Sequence, residues 1–270
     1  MARWLLISIL LACEAGGYAG EAPASLEITY IANEGVLIAS GDEQVLIDGL
    51  HRPYYPEYAA LPPGQREQIE TARPPYDEID VILVSHIHRD HFHGEAVGRH
   101  LRHNPDATLL ASQQVADSVA RDFGDYEAVQ AQIRVMPAEV NAWSQQVGTV
   151  EIDLLRLRHT RQRHRWIQNL GHVVTIGGLK LLHIGDADMD VDNFEAFNLA
   201  EEAIDVAFIP YWYLLSGEGR RLVRDHIKPK QIIAVHIPPT GAEDAIRQIH
   251  SHFPEAVAFT RLLESKRYGD

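Results

Sequence analysis

A single cysteine, Cys13, is all the chain contains, so no disulfide can form within it and no thiolate-based zinc cluster is available. Any metal chemistry must come from imidazole and carboxylate. The sequence also lacks a basic stripe. Its formal net charge is -14 over 270 residues, opposite in sign to that of a protein that binds duplex nucleic acid by releasing counterions. No apolar run reaches the roughly 20 residues needed to span a bilayer. Low-complexity tracts, blocks of like charge and short-period repeats are missing too. What remains is an ordinary globular composition, 46% hydrophobic. It is enough for a sizeable core in one large domain or two closely fused halves.

The first 24 residues read as an address. Arg3, an apolar stretch from Trp4 to Ala12 and small residues after it have the order of a secretory signal. Residues 1–24 are therefore assigned to export and 25–270 to the folded domain. Leu10-Leu11-Ala12-Cys13 resembles a bacterial lipoprotein box, in which the cysteine is lipidated and anchors the protein to a membrane. Cleavage nearer Gly17 or Ala19 is the alternative. The expected location is the periplasm, free or membrane-anchored.

Three short apolar runs, 25–32, 35–40 and 44–48, are separated by turn residues and predict a β-meander. Residues 51–75, rich in Pro and Tyr, predict a long irregular loop. The apolar run 81–84 predicts a buried strand. Helices are expected over 95–103 and 113–121, around a strand at 108–111. Residues 147–157 alternate as a half-buried strand. Residues 173–176 and 179–182 pair across Gly177-Gly178. After Asp186 the pattern predicts helix, strand (206–209), helix (219–226), strand (231–235) and helix (242–253). Such an order suggests two sheets face to face with helices outside.

The strongest chemical signal is Ser85-His86-Ile87-His88-Arg89-Asp90-His91, directly after the buried strand. Three imidazoles and a carboxylate on one strand-end loop are suitable ligands for zinc or a similar metal. This cluster resembles the signature of the metallo-β-lactamase superfamily, and the resemblance continues in order over most of residues 26–240. Asp48, at the end of a strand, is similar to the early Asp that buttresses the metal loop. His159 stands where the family places its next His, Asp186 at its Gly-Asp step, and His236 at its last His.

The resemblance implies an αββα sandwich and two divalent metal ions, most naturally zinc, with manganese or iron as alternatives. His86, His88 and His159 would hold one metal and Asp90, His91 and His236 the other. Asp186 would bridge them, and Asp90 and Asp186 are the carboxylates assigned to catalysis. The metals would activate a shared water for hydrolysis. His164 competes with His159, and Asp188 with Asp186. His93, His172, His183 and His226 are not assigned as ligands.

True zinc β-lactamases carry Cys or Ser in place of the bridging Asp. The chain is instead similar to the branch that contains ascorbate-6-phosphate lactonase and N-acylphosphatidylethanolamine phospholipase D. The expected reaction is hydrolysis of an ester, lactone or phosphodiester in a small anionic molecule. A fold-keeping binding protein and a true β-lactamase are the alternatives. The first would have lost a ligand. An iron oxidoreductase of the superfamily would carry an added flavin domain, for which there is no room. Arg156, Arg158, Arg161, Arg163 and Arg165 form a local basic run. Arg161 and Arg163 are assigned to an anionic substrate, with a solvated surface run as the competing reading. Tyr211 and Trp212 are assigned to an apolar wall, with packing under a loop as theirs.

Overall fold

Alternating apolar residues and tight turns build the opening meander. β1 (Leu26–Ala32), β2 (Gly35–Ser40) and β3 (Glu43–Ile47) pair antiparallel in succession. The computed structural model describes residues 25–269; the expected signal and its lipoprotein box, residues 1–24, lie outside them. β4 (Val81–Leu83) and β5 (Thr108–Ala111) add in parallel to β3. Their unbroken apolar runs suit strands covered on both faces. β6 (Ile133–Val135) completes one edge, and the C-terminal strand β14 (Ser265–Tyr268) pairs with β1 at the other.

The second sheet begins with four antiparallel neighbours: β7 (Ala142–Val147), β8 (Val150–Arg158), β9 (Gln168–Ile176) and β10 (Leu179–His183). β11 (Val206–Pro210), β12 (Gln231–Val235) and β13 (Val257–Ala258) continue it in parallel. Ile28, Ile38, Val45 and Leu83 of the first sheet meet Ile152, Val174, Leu181 and Phe208 of the second in a central core. α1 (Pro63–Glu70), α2 (Gly94–His103) and α3 (Gln113–Asp122) cover the outer face of the first sheet through Ile69, Val97, Leu101 and Val115. α4 (Tyr211–Leu215), α5 (Gly217–Leu222) and α6 (Ala242–His252) cover the second through Leu214, Leu222 and Ile249. The architecture is the expected αββα sandwich.

Four local expectations change. The stretch 51–75 is not irregular throughout, because it contains α1. Proline suits a first helical turn, where its missing N–H has no partner to lose, and Pro63 sits there. The buried Glu70 at the far end accepts from Arg52 and Arg99 at 2.7 and 2.5 Å. The run 147–157 is split: Gly148 turns the chain at φ 60 between β7 and β8. The helix expected after Asp186 is a series of single 3-10 turns between Val191 and Glu201. There the Asn193 side chain accepts from the Arg158 N–H at 2.7 Å and donates to the Asp188 carbonyl at 3.1 Å. The helix expected over 219–226 ends as a true α-helix at Leu222 and continues as a wider turn through Ile227.

His100 ties α2 to α1. Its buried ring donates from Nδ1 to the Ile69 carbonyl at 2.6 Å. Burial lowers its pKa from 6.5 to about 4. Between those values the unfolded chain holds a proton that the folded chain does not, so stability falls as pH drops through the window. His100→Asn keeps a donor near Ile69 and removes the titration. Its loss of unfolding free energy between about pH 7 and pH 4.5, measured with urea, should be smaller than the wild type's by about 2 kcal/mol. Equal losses would show that the folded ring is protonated.

Candidate metal centre

Parallel strands deliver their C-terminal ends to one rim of the sandwich, the place where open α/β sheets bind ligands. The segment 85–91 leaves the sheet after β4, His159 after β8, Asp186 after β10 and His236 after β12. Residues far apart in sequence converge there. Gly185 permits the turn into Asp186. It adopts φ 53, and a Cβ on it would approach Asn169 Oδ1 to 2.6 Å and Ser85 Cβ to 2.7 Å.

All seven assigned side chains come together in two groups. His86 Nε2 lies 3.0 Å and His159 Nε2 3.2 Å from His88 Nδ1. Asp186 Oδ2 is 3.9 Å from His86 Nε2 and 3.5 Å from His159 Nε2. In the second group Asp90 Oδ2 is 3.4 Å from His91 Nε2 and 3.2 Å from His236 Nε2. Asp186 Oδ1 is 3.7 and 3.6 Å from the same two nitrogens. Ligand atoms around a tetrahedral zinc, at bonds of about 2.0–2.1 Å, sit about 3.3 Å apart. Three of these atoms, His91 Nε2, His236 Nε2 and Asp186 Oδ1, are buried without a hydrogen-bond partner among the described residues. Buried polar atoms are rarely left so, and a cation fits them.

Three of the remaining ring nitrogens are held by other bonds, as is usual for ligating imidazoles. Ser85 Oγ lies 2.9 Å from His86 Nδ1. His159 Nδ1 donates to the Thr160 carbonyl at 2.8 Å. His91 Nδ1 donates to Asp48 Oδ2 at 2.9 Å, and Asp48 Oδ1 accepts from the Ser85 N–H at 2.7 Å. Asp48 is thus where the resemblance places it, beneath the loop.

Charge divides the two groups. Burial, with neighbouring imidazoles, drives His86 far below its ordinary value and takes His88 to about 4. Burial also lowers His159. These three rings are neutral at pH 7 and can donate a lone pair. His91 and His236 behave oppositely. Burial opposes their charge, but Asp90 and Asp186 at His91, and Asp186 and Asp90 at His236, outweigh it and raise both. For Asp90, burial works against ionisation, and His91 and His236 overcome it, holding the carboxyl below the usual range. A metal entering this side displaces protons.

The competitors lie outside the cluster. The half-buried His164 packs its ring 4.8 Å from that of His88. Asp188 turns away to contact Arg165. His172 and His183 are buried within the second sheet, their rings 6.1 Å apart. Arg161, Arg163, Tyr211 and Trp212 line a cavity of about 830 Å³ above the cluster, together with Arg89, Tyr58 and Trp166.

Sequence reasoning missed Asn33 and Glu34, in the turn between β1 and β2. Asn33 Nδ2 donates to Asp90 Oδ2 at 3.2 Å, and the Asn33 carbonyl accepts from the His236 N–H at 3.0 Å. Glu34 is buried, with its carboxylate 3.9 Å from His91 Nδ1 and 3.6 Å from His183 Nε2. Burial pushes its pKa up to about 8. An acid in a tight turn is ordinarily solvated, so the sequence carries no warning of it.

Known proteins share this frame. A family model described as "Beta-lactamase superfamily domain" matches residues 27–236. A protein of Natranaerobius thermophilus named a UPF0173 metal-dependent hydrolase is 24% identical over 217 residues, 78% of this chain and 83% of its own length. Among solved structures, Igni18, a metallo hydrolase from Ignicoccus hospitalis, superposes with a TM-score of 0.58 at 14% identity, covering 90% of this chain and 98% of its own. CmlA, a diiron beta-hydroxylase from Streptomyces venezuelae, superposes with a TM-score of 0.53 at 16% identity, covering 91% of this chain and 54% of its own.

Asp48 generates a test of the loop's support. Asp48→Asn removes the charge that faces His91 while keeping the side-chain volume. Zinc affinity, from chelator competition, should fall by about 10–100-fold, as for other groups that orient a ligating imidazole. An unchanged affinity would show that the loop holds its shape without this carboxylate.

Proposed function

The chain belongs to the metallo-β-lactamase superfamily, and from that premise we propose that it is a binuclear metal-dependent hydrolase acting on an ester, lactone or phosphodiester bond of a small anionic molecule. One observation carries the reading. The two oxygens of Asp186 face different sets of ligand atoms, Oδ2 toward His86 and His159 and Oδ1 toward His91 and His236. A carboxylate so placed is built to join two cations.

In this proposal His86, His88 and His159 would hold one metal and Asp90, His91 and His236 the other, with Asp186 available to both. All-nitrogen-and-oxygen donors of this kind suit zinc. Bound metals supply Lewis acidity and lower the pKa of a coordinated water to about 7. The chain's own residues arrange the rest. Asp90 and Asp186 line the cavity floor, placed to accept a hydrogen bond from an attacking water. Asn33 fixes Asp90, and Asp48 fixes His91. Trp212 and Tyr58 stand edge-on to His236, with ring centroids 4.9 and 5.4 Å away, and form an aromatic wall on that side. The relatives' names, metal-dependent hydrolase and metallo hydrolase, agree with this reading.

Elemental analysis of purified protein should find about two metal ions per chain. The loaded protein should hydrolyse a member of a panel of chromogenic esters, lactones and phosphodiesters. Asp186→Ala should lower metal content and activity together. A variant that remains fully loaded and fully active would remove the bridging role.

A further inference from the structure

The mouth of the cavity is uneven in charge, and we propose that it selects substrates that carry an anionic group at one end and an aromatic or broad apolar group at the other. This proposal rests on the hydrolase reading of the same site and specifies its substrate.

The five arginines of the run 156–165 do not act as one surface. Arg156 donates to the Val140 and Pro137 carbonyls at 3.1 and 3.0 Å. Arg158 pairs with Asp190 at 2.7 Å, and Arg165 contacts Asp188. Arg161 and Arg163 instead line the cavity. Among the described residues no carboxylate lies within ion-pair distance of either. Arg163 donates from Nε to His164 Nε2 at 2.9 Å, and its terminal nitrogens have no partner among the described residues. Arg161 holds φ 62 and ψ 127, a costly backbone conformation for a residue with a side chain. A third cavity arginine, Arg89, lies over the Tyr54 ring at 4.6 Å and is already engaged.

In a chain of net charge -14, carboxylates are abundant, yet Arg161 and Arg163, both lining the cavity, have no carboxylate partner among the described residues. An arriving anion with two oxygens satisfies them through paired, charge-assisted hydrogen bonds. The overall field repels anions, so selection must come from contact rather than steering.

The aromatic side is distinct. Arg161 and Arg163 belong to the loop that carries His164, whose ring lies 5.2 Å from that of His159. The opposite ligand, His236, is walled by Trp212 and Tyr58, and Tyr211 backs Trp212 at 5.5 Å. These rings leave a face that takes flat or apolar surface. A substrate that spans the floor at Asp186 places its charge toward Arg161 and Arg163 and its apolar end toward Trp212. Specificity is then set on both sides of the scissile bond by residues that touch no metal.

Isothermal titration of the metal-loaded protein tests this with phenylphosphonate, inorganic phosphate and benzyl alcohol. Phenylphosphonate should bind at least about tenfold tighter than either of the others, given the usual strength of a hydrogen bond to a charged group. Arg161→Ala with Arg163→Ala should weaken phenylphosphonate and phosphate at least about tenfold at unchanged metal content. Trp212→Ala should weaken phenylphosphonate and leave phosphate alone. Arg121→Ala with Arg267→Ala removes the same charge away from the mouth and should change neither.

Equal losses in the two double variants, or phosphate binding as tightly as phenylphosphonate, would overturn the proposal. Turnover separates it from the hydrolase reading. An active enzyme that treats 4-nitrophenyl butyrate and 4-nitrophenyl hemisuccinate alike removes the anion subsite and leaves the hydrolase. The expected binding pattern with no hydrolysis of any ester, lactone or phosphodiester does the reverse.

Discussion

A buried carboxylate, Asp48, joins the end of β3 to the segment that leaves β4, and the metal loop hangs from that joint. Its oxygens take the Ser85 N–H, the Ser85 hydroxyl and His91 Nδ1. Burying a charge is expensive unless it is paired and hydrogen-bonded. Here burial opposes ionisation, but the His91 hydrogen bond and charge outweigh it and hold the carboxyl down at about 2. Asp48 itself sits at φ 46, so the strand ends in a left-handed residue at the point where the carboxylate must turn inward. Parallel pairing of β3 with β4 then sets the distance between Asp48 and Ser85. Backbone pairing fixes the carboxylate, the carboxylate fixes the first turn of the loop, and the loop presents His86, His88, Asp90 and His91 together.

The same rim is under electrostatic tension. Asp48, Asp90, Asp186 and Glu34 crowd around His91. The carboxylates raise the pKa of both His91 and His236, favouring protons that offset part of this charge, and burial favours a protonated Glu34. Three atoms of the assigned ligand set, His91 Nε2, His236 Nε2 and Asp186 Oδ1, still lack partners among the described residues. A bound cation would relieve the ligand atoms, because it would replace the protons and fill their open valences. The assigned ligands also come from both sheets: four from the loop after β4, and His159, Asp186 and His236 from the second sheet. Metal bound at the seam would therefore stabilise the packing of the sandwich as well as the site.

The legible parts of the sequence were those with strong local patterns. The apolar runs gave the central strands because burial on both faces leaves no room for polar residues. The dense His and Asp motif gave the loop, and apolar strands ending in His or Gly-Asp gave the distant ligands by resemblance. Strands β7 and β14 escaped notice because Ala-Trp-Ser-Gln-Gln-Val and Ser-Lys-Arg-Tyr lie at or near sheet edges, half in water, where little hydrophobicity is needed. α1 was hidden by its prolines. Glu34 and Asn33 were hidden by their setting, since polar residues in a turn normally face solvent. Their burial arises only when β12 brings His236 against the turn.

The arginine run shows why composition alone cannot assign a surface. Strand pleating puts residues two apart on the same face. Arg156 and Arg158 are both on β8, yet one feeds backbone carbonyls and the other an exposed acid. The chain then breaks from the strand at His159, whose short bridge to Ala187 pins the crossing. From that point the strand no longer dictates direction, and the left-handed Arg161 orients the short turn 162–164. Five like charges in sequence thus become three that fasten the scaffold and two that face the cavity. The division is made at one strand end, where His159 leaves β8 and the chain turns toward the cavity.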